Sequence, residues 1–351
     1  MLRVHSRRNL SRFPSILFAD MSNKLRWGIL ATGSIANQFA EGLAVCNSGE
    51  LVAVGSRTLE RATAFCEKHG GTPYGSYEEV TNNPNVDAVY IATPHHLHME
   101  DTIAVAKAGK GILCEKPFTL NAIEAKRALD AVKEANVFFM EAFMYRCTKQ
   151  TAQIREWISS GKIGEVKMVN AEFAFQAGED WANFRNDPDL GGGGLMDVGS
   201  YCVSLARMAF GEEPIGTTYI SQKNSKGVDW IGSGQLRFSK DRTAVFTTGV
   251  GIVADNGASI YGDQGRIVIE DPWKQHTGAK MHRYEKYTLV ETVDLSITNA
   301  ELYAAEADAV AEFFSQKECP YVTLEDTMQQ MRTLDNLRAS AGVVFGHEAK
   351  T

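Results

Sequence analysis

Between Leu25 and Phe143 short apolar runs alternate with stretches whose apolar residues fall at helical spacing, and this restricts the fold more than any other feature. Leu25–Leu30 reads as a strand. Ile35, Ala36, Phe39, Ala40 and Leu43 then recur every three or four residues, as on one face of a helix. Leu51–Gly55 predicts a second strand, followed by a helix using Leu59, Ala62 and Phe65. Residues 86–93 (VDAVYIAT) are nearly all apolar, the pattern of a strand buried on both faces. A helix through Thr102, Val105 and Ala106 follows, then a short strand at Gly111–Cys114. Asn121 is placed to cap the next helix, with Glu124 set for the return contact of a capping box. Val137–Phe143 closes the series. Such alternation predicts a parallel sheet covered by helices on both faces.

The second half changes character. A helix at Thr151–Ser160 is followed by strands at Val166–Gln176, Gln235–Phe238, Thr243–Val250, Ala258–Gly262 and Arg266–Ile269, joined by turns such as Ser239-Lys240-Asp241. Helices near Leu302–Gln316 and Leu324–Val344 end the chain. This predicts an α+β unit with a mostly antiparallel, open sheet. A length of 351 residues suits two cores.

The turn after the first strand reads Gly28-Ile-Leu-Ala31-Thr32-Gly33-Ser34-Ile35-Ala36. Small residues there let a backbone approach a pyrophosphate at a helix N-terminus, where free N–H groups and the dipole favour anions. Such residues can also merely ease packing; standing on the first strand of an alternating series is what favours a dinucleotide. The expected unit is therefore an α/β Rossmann domain over residues 22–145, with a substrate-binding and oligomerisation domain over 146–351. At the end of the second strand an NAD site usually has an acid for the ribose hydroxyls. Here Ser56-Arg57-Thr58 stands instead. An arginine there suits the 2′-phosphate of NADP, so NADP is expected over NAD, although a solvated arginine at a strand end reads the same way.

Glu115-Lys116-Pro117 follows the fifth strand, at the sheet edge where ligands bind. A lysine there can donate to a substrate oxygen and favour an alkoxide. Together Gly28–Ala36, Thr93-Pro94, Glu115-Lys116-Pro117 and the block Gly191-Gly-Gly-Gly-Leu-Met-Asp197-Val-Gly199-Ser-Tyr201 resemble the Gfo/Idh/MocA oxidoreductase family. Tyr201, where many members have histidine, and Glu141-Ala-Phe-Met-Tyr145-Arg146 resemble its branch of glucose-fructose oxidoreductase, dimeric dihydrodiol dehydrogenase and D-xylose dehydrogenase.

That resemblance implies an NAD(P)-dependent oxidoreductase moving hydride to or from an aldose, polyol or trans-dihydrodiol. Lys116 and Tyr201 would be the catalytic pair, with Asp197 sharing a helix face with Tyr201 and Arg185 on the substrate side. Thr93, Pro94, His98 and Glu115 would line the cofactor. A nearby ammonium is expected to favour the Tyr201 phenolate. The clustered His95, His96 and His98 complete no metal-ligand set. Trp181, Phe184 and Trp230 are platform residues for a sugar or, more ordinarily, packing. Two other readings stand beside this one: a non-catalytic nucleotide sensor on the same fold, and a hydrolase that uses bound NAD transiently.

Net charge is −7 and no basic field exists, which disfavours nucleic acid as a partner. No apolar run reaches the ~20 residues of a membrane span. The expected partners are a small carbohydrate-like substrate and further copies of the chain, as a homodimer or homotetramer. Six cysteines stand singly without a CxxC pair, as expected of buried, reduced thiols. Residues 1–21 form a basic extension, with Arg3, Arg7, Arg8 and Arg12 and no acid before Asp20. It reads either as an organellar targeting segment or as a leader ahead of an initiator at Met21. The body is otherwise expected in the cytoplasm.

Overall fold

A computed structural model describes residues 24–178 and 184–345. The basic extension and Trp181 lie outside these residues. The first half contributes β1 (Leu25–Leu30), α1 (Ser34–Val45), β2 (Gly49–Gly55), α2 (Leu59–His69), β3 (Thr72–Tyr74), α3 (Tyr77–Thr81) and β4 (Ala88–Ile91). It continues with α4 (His98–Lys107), β5 (Gly111–Glu115), α5 (Ala122–Ala135) and β6 (Phe139–Ala142). These six strands form one parallel sheet in the order β3-β2-β1-β4-β5-β6. Every residue of β4, β5 and β6 is buried, as strands covered on both faces require. Helix α1 turns Ala36, Phe39, Ala40 and Leu43 inward, the face its spacing predicts. Asn121 caps α5 by accepting from the N–H groups of Ile123 and Glu124, and the Glu124 carboxylate accepts from Leu120 N–H at 3.1 Å.

The second half opens with α6 (Lys149–Ser159) and β7 (Val166–Ala174). A π-helical turn at Leu195–Gly199 leads into α7 (Ser200–Phe210). The strands β8 (Gly216–Lys223), β9 (Asp229–Arg237), β10 (Thr243–Gly249), β11 (Ala258–Gly262), β12 (Gly265–Ile269), β13 (Lys280–Glu285) and β14 (Thr288–Asp294) follow. With β7 they make an eight-stranded sheet ordered β14-β13-β12-β11-β7-β10-β9-β8, antiparallel except for the β7–β10 pair. Sequence pattern did not reveal β8, β13 or β14. β8 and β14 are largely exposed, and β13 buries Met281 and Arg283, one of them charged, so no clean apolar alternation marks any of the three.

The chain ends with α8 (Asn299–Phe313) and α9 (Leu324–Ser340), and both return to the first half. Helix α8 lies along α1, crossing so closely at Gly42 that a Cβ there would meet Tyr303 Cβ at 2.6 Å. Helix α9 packs on α5, β6 and β8. Among the described residues no helix is long and apolar enough to cross a membrane.

Candidate active site

The loop after β5 carries Lys116, joined to Pro117 by a cis peptide. The Lys116 ammonium donates to Asp197 Oδ1 at 3.1 Å and to the Asp197 carbonyl at 2.7 Å. Asp197 also accepts from Arg185 Nε at 2.5 Å. Burial works against its charge, yet Lys116 and Arg185 hold the carboxyl well below the usual carboxylate range. The Arg185 guanidinium lies 4.5 Å from the Phe184 ring centroid and 5.4 Å from that of Phe175.

Asp197 sits on the π-helical turn rather than one regular turn before Tyr201; such turns are wound wider and often mark functional sites. The glycine run packs this turn against the sheet. A Cβ on Gly193, whose φ is +116°, would lie 2.1 Å from Asp229 Oδ1, and one on Gly194 would lie 2.8 Å from Gly249 Cα. Asp229 Oδ2 accepts from Leu195 N–H at 2.7 Å and from the Tyr219 hydroxyl at 2.8 Å, tying the turn down. Burial pushes its carboxyl up to about 6. No motif announced Asp229, because its partners are remote in sequence.

Tyr201 is buried among the rings of Phe143, Tyr145, Phe173 and Trp273, with centroids 5.1–5.8 Å away. Its hydroxyl donates to Met144 Sδ at 3.1 Å, and its ring centroid is 5.1 Å from Lys116 Nζ. The expected phenolate is not favoured here. Burial, with Glu115, Tyr303, Glu306 and Asp197 nearby, raises the proton affinity of Tyr201 well above that of free tyrosine. Lys116, Asp197, Arg185 and Tyr201 all line one cavity of about 590 Å³. Phe173, Phe175, Trp273 and Tyr303 add aromatic lining, and Glu270, Asp271 and Lys274 add charged lining. Phe173 and Trp273 are stacked, 5.5 Å apart at 9°. Trp273 and Tyr303 stand in no periodic or motif context that would have singled them out.

Ile35 and Gln38 of α1 reach the same cavity, so the dinucleotide turn opens onto it. The N-terminus of α1 has no side-chain cap, and space beside Gly33 is open. Gly33 and Ser34 are exposed, with Ala31, Thr32 and Ile35 half-buried beside them. Ala31 adopts φ +80°, a conformation that usually calls for glycine. Arg57 is exposed at the end of β2, next to buried Ser56. An uncapped helix start, a small-residue turn and an exposed cation fit a phosphate-bearing dinucleotide.

Gly28 and His98, both expected at the cofactor, are buried. Gly28 is small for packing, because a Cβ there would lie 2.7 Å from Val80 Cγ1. His98 does not line the cavity. It is fully buried, Nε2 facing the Thr93 carbonyl at 2.8 Å and Nδ1 the Pro117 carbonyl at 3.0 Å, so it pins the β4 end to the Lys116 loop. His95 takes the position nearer the site, its Nδ1 3.4 Å from the Gly191 carbonyl, and burial lowers it to about 3. Trp230 packs against Gly251 and Phe184 against His95 and Arg185, the packing role that was the more ordinary expectation for them. Thr93 donates to Asp101 at 2.7 Å, Pro94 is exposed, and buried Glu115 accepts from the Tyr90 hydroxyl and from Lys116 N–H. Among the described residues no three His, Cys, Asp or Glu side chains gather as a metal site, and the cysteines are unpaired.

Residues 25–143 match the family model described as oxidoreductase family, NAD-binding Rossmann fold, and residues 151–268 match the GFO/IDH/MocA C-terminal domain. The chain belongs to the Gfo/Idh/MocA oxidoreductase family. Among curated members of the Gfo/Idh/MocA family, it is 31% identical over 328 residues to a trans-1,2-dihydrobenzene-1,2-diol dehydrogenase of Xenopus tropicalis, covering 91% of this chain and 99% of the relative. The corresponding enzyme of Mus musculus is 32% identical over 338 residues, covering 93% and 99%. Among solved structures, an aldose-aldose oxidoreductase from Caulobacter crescentus complexed with glycerol superposes with a TM-score of 0.82 at 26% identity, covering 91% of this chain and 98% of that one. A 3-ketoreductase from Actinomadura kijaniata in complex with NADP and TDP-benzene gives 0.81 at 27%, with the same coverage. The chain is thus an NAD(P)-dependent dehydrogenase.

Proposed function

We propose that this dehydrogenase uses NADP to interconvert an alcohol and a carbonyl on a carbohydrate-like substrate, an aldose, polyol or trans-dihydrodiol. The observation that carries the reading is one cavity shared by Lys116, Asp197 and Tyr201 with the start of the nucleotide-facing helix α1. The names of the curated relatives and the aldose oxidoreductase structure support the substrate class. The cavity combines aromatic lining from Phe175 and Tyr303 with the hydrogen-bonding groups of Lys116, Asp197 and Arg185, a mixture that suits a ring bearing hydroxyls.

Ala31–Ile35 would hold the phosphates of the cofactor and Ser56 and Arg57 its adenosine end, and the cofactor, when bound, would supply or accept the hydride. Lys116 donates to the reacting oxygen and favours negative charge there. Asp197, clamped by Arg185, fixes the lysine. Tyr201 carries its proton in the resting protein, so it is ready to give that proton to a carbonyl oxygen during reduction. Its present acceptor, a thioether sulfur, is weak and gives way readily to a substrate oxygen. In oxidation Tyr201 must first release its proton to solvent through the cavity, and the resulting phenolate then takes the proton of the substrate hydroxyl, with Lys116 turned toward the reacting oxygen. Retention of this pair weighs against a purely sensory protein.

Incubating the protein with NADP or NAD and a panel of aldoses, polyols and trans-dihydrodiols, while following reduced-cofactor absorbance, tests the reading. Net cofactor reduction is expected. Glycoside cleavage without it would indicate the transient-redox hydrolase, and cofactor binding with no turnover would indicate the sensor. Arg57→Ala should weaken NADP about tenfold or more, from the ~1.5–3 kcal/mol of a charge-assisted contact, and leave NAD nearly unchanged. Equal losses would remove the 2′-phosphate role. Exposed Met168, Ile220, Leu289 and Val290 on the second sheet support self-association, which sedimentation would resolve into dimer or tetramer.

A further inference from the structure

Helix α8 buries an acid within electrostatic reach of Glu115 and Tyr201. Glu306 is fully buried, and neither carboxyl oxygen has a hydrogen-bond partner among the described residues. The titratable groups within electrostatic reach are Tyr90 on β4, Glu115 ending β5, Cys147 after β6, Tyr201 on α7 and Tyr303 one turn earlier on α8, while α1 and β2, which also pack on α8, add none. None of these is a cation. The nearby ammonium of Lys116 is engaged by Asp197. Lys116 and Arg185 on one side and Asp197 and Glu115 on the other already balance in charge. Glu115 has donors, the Tyr90 hydroxyl and Lys116 N–H, whereas Glu306 has none among the described residues. A second carboxylate without donors in this interior is far costlier than a neutral acid.

We propose that Glu306 is a positioning residue, a neutral carboxylic acid beside the Glu115 carboxylate, whose neutrality lets negative charge develop at Lys116 and Tyr201. This rests on the dehydrogenase chemistry proposed for that pair. A charge on Glu306 would oppose both a substrate oxyanion and a Tyr201 phenolate. The direction of its own titration agrees, since burial and then Glu115 raise its proton affinity well above that of free glutamate. The sign for stability follows. The unfolded chain ionises this carboxyl above about pH 4, while the folded chain keeps it protonated. Native stability therefore falls with rising pH on account of this residue, until the folded acid also ionises.

Glu306→Gln keeps size and neutrality, and Glu306→Met keeps size without polarity. Thermal melts of the full chain from pH 5 to pH 8 read the first arm. The folding constant of each variant relative to wild type should grow about tenfold per pH unit over this range. The second arm is the pH profile of alcohol oxidation, with the alkaline fall of wild-type kcat displaced upward by at least one pH unit in Glu306→Gln. Variant melts that drop equally at all pH values, in both substitutions, would mean an ionised, partnered Glu306 and overturn the proposal. Coincident pH profiles would remove the positioning role. If no substrate turns over, the melts still decide the protonation state, so failure of the proposed reaction and failure of this inference remain distinct.

Discussion

Tyr201→Phe separates chemistry from packing with unusual clarity in this fold. The substitution keeps the ring and its contacts with Phe143, Tyr145, Phe173 and Trp273. It removes one hydrogen bond, to the sulfur of Met144. An ordinary net hydrogen bond stabilises by ~0.5–1.5 kcal/mol, and a thioether acceptor belongs at the lower end. Stability should thus change by less than about 1 kcal/mol, a melting shift of no more than about 4 °C. General acid–base help is worth ~10²–10⁴ in rate, so kcat should fall about 10²-fold or more, at least ~2.7 kcal/mol of transition-state stabilisation. Steady-state kinetics with the best substrate, a cofactor titration and a melt on the same preparation test this. Cofactor affinity should hold. Lys116→Met should do comparable damage, and the double variant should be little worse than either single one. Near-normal kcat in Tyr201→Phe would refute the proton-transfer role. A rate loss matched by a melt lowered by ten degrees would assign Tyr201 to packing.

Two further outcomes follow from the same geometry. Ala31→Gly relieves a left-handed alanine that costs ~1–2 kcal/mol, less the extra entropy of an unfolded glycine, so calorimetry should find about 0.5–1 kcal/mol of added stability; a comparable loss would contradict the strain. Asp197→Asn leaves Lys116 and Arg185 without their shared anion and should destabilise by ~3–5 kcal/mol at pH 7. Because the native Asp197 pKa is depressed, that gap should be full at neutral pH and shrink as pH falls below ~4, which urea melts across pH would check; a gap independent of pH would point to lost packing instead.

The parts of the molecule legible in its sequence are those where burial imposes a period. The apolar run around β4 and the spaced residues of α1 fixed a parallel sheet, and β11 appears with the bounds its alternation suggests. Lys116, Asp197, Arg185 and Tyr201 do meet at one cavity, as the motif resemblance implied. Residues whose roles depend on remote partners left no local trace. Asp229 holds the π-helical turn from another strand, and Glu306 approaches Glu115 only because α8 folds back across the first half. His98 misled for the complementary reason: a histidine beside a binding loop looks like a ligand, but three carbonyls from that loop and its neighbour surround the ring. Gly28 likewise belongs to a motif by position and to the core by contact.

The crossing of α1 and α8 at Gly42 limits how modular this enzyme can be. The helix that begins at the dinucleotide turn is seated, backbone against backbone, on a helix encoded some 260 residues later, with Ala304 N 2.9 Å from where a Cβ of residue 42 would stand. A graft that exchanges the nucleotide-binding half for one from a distant relative must therefore carry over a glycine at this crossing as well as a compatible linker. If Arg57 sets cofactor preference as proposed, single substitutions at the end of β2 would alter it without disturbing this crossing, whereas a swap of whole domains would not.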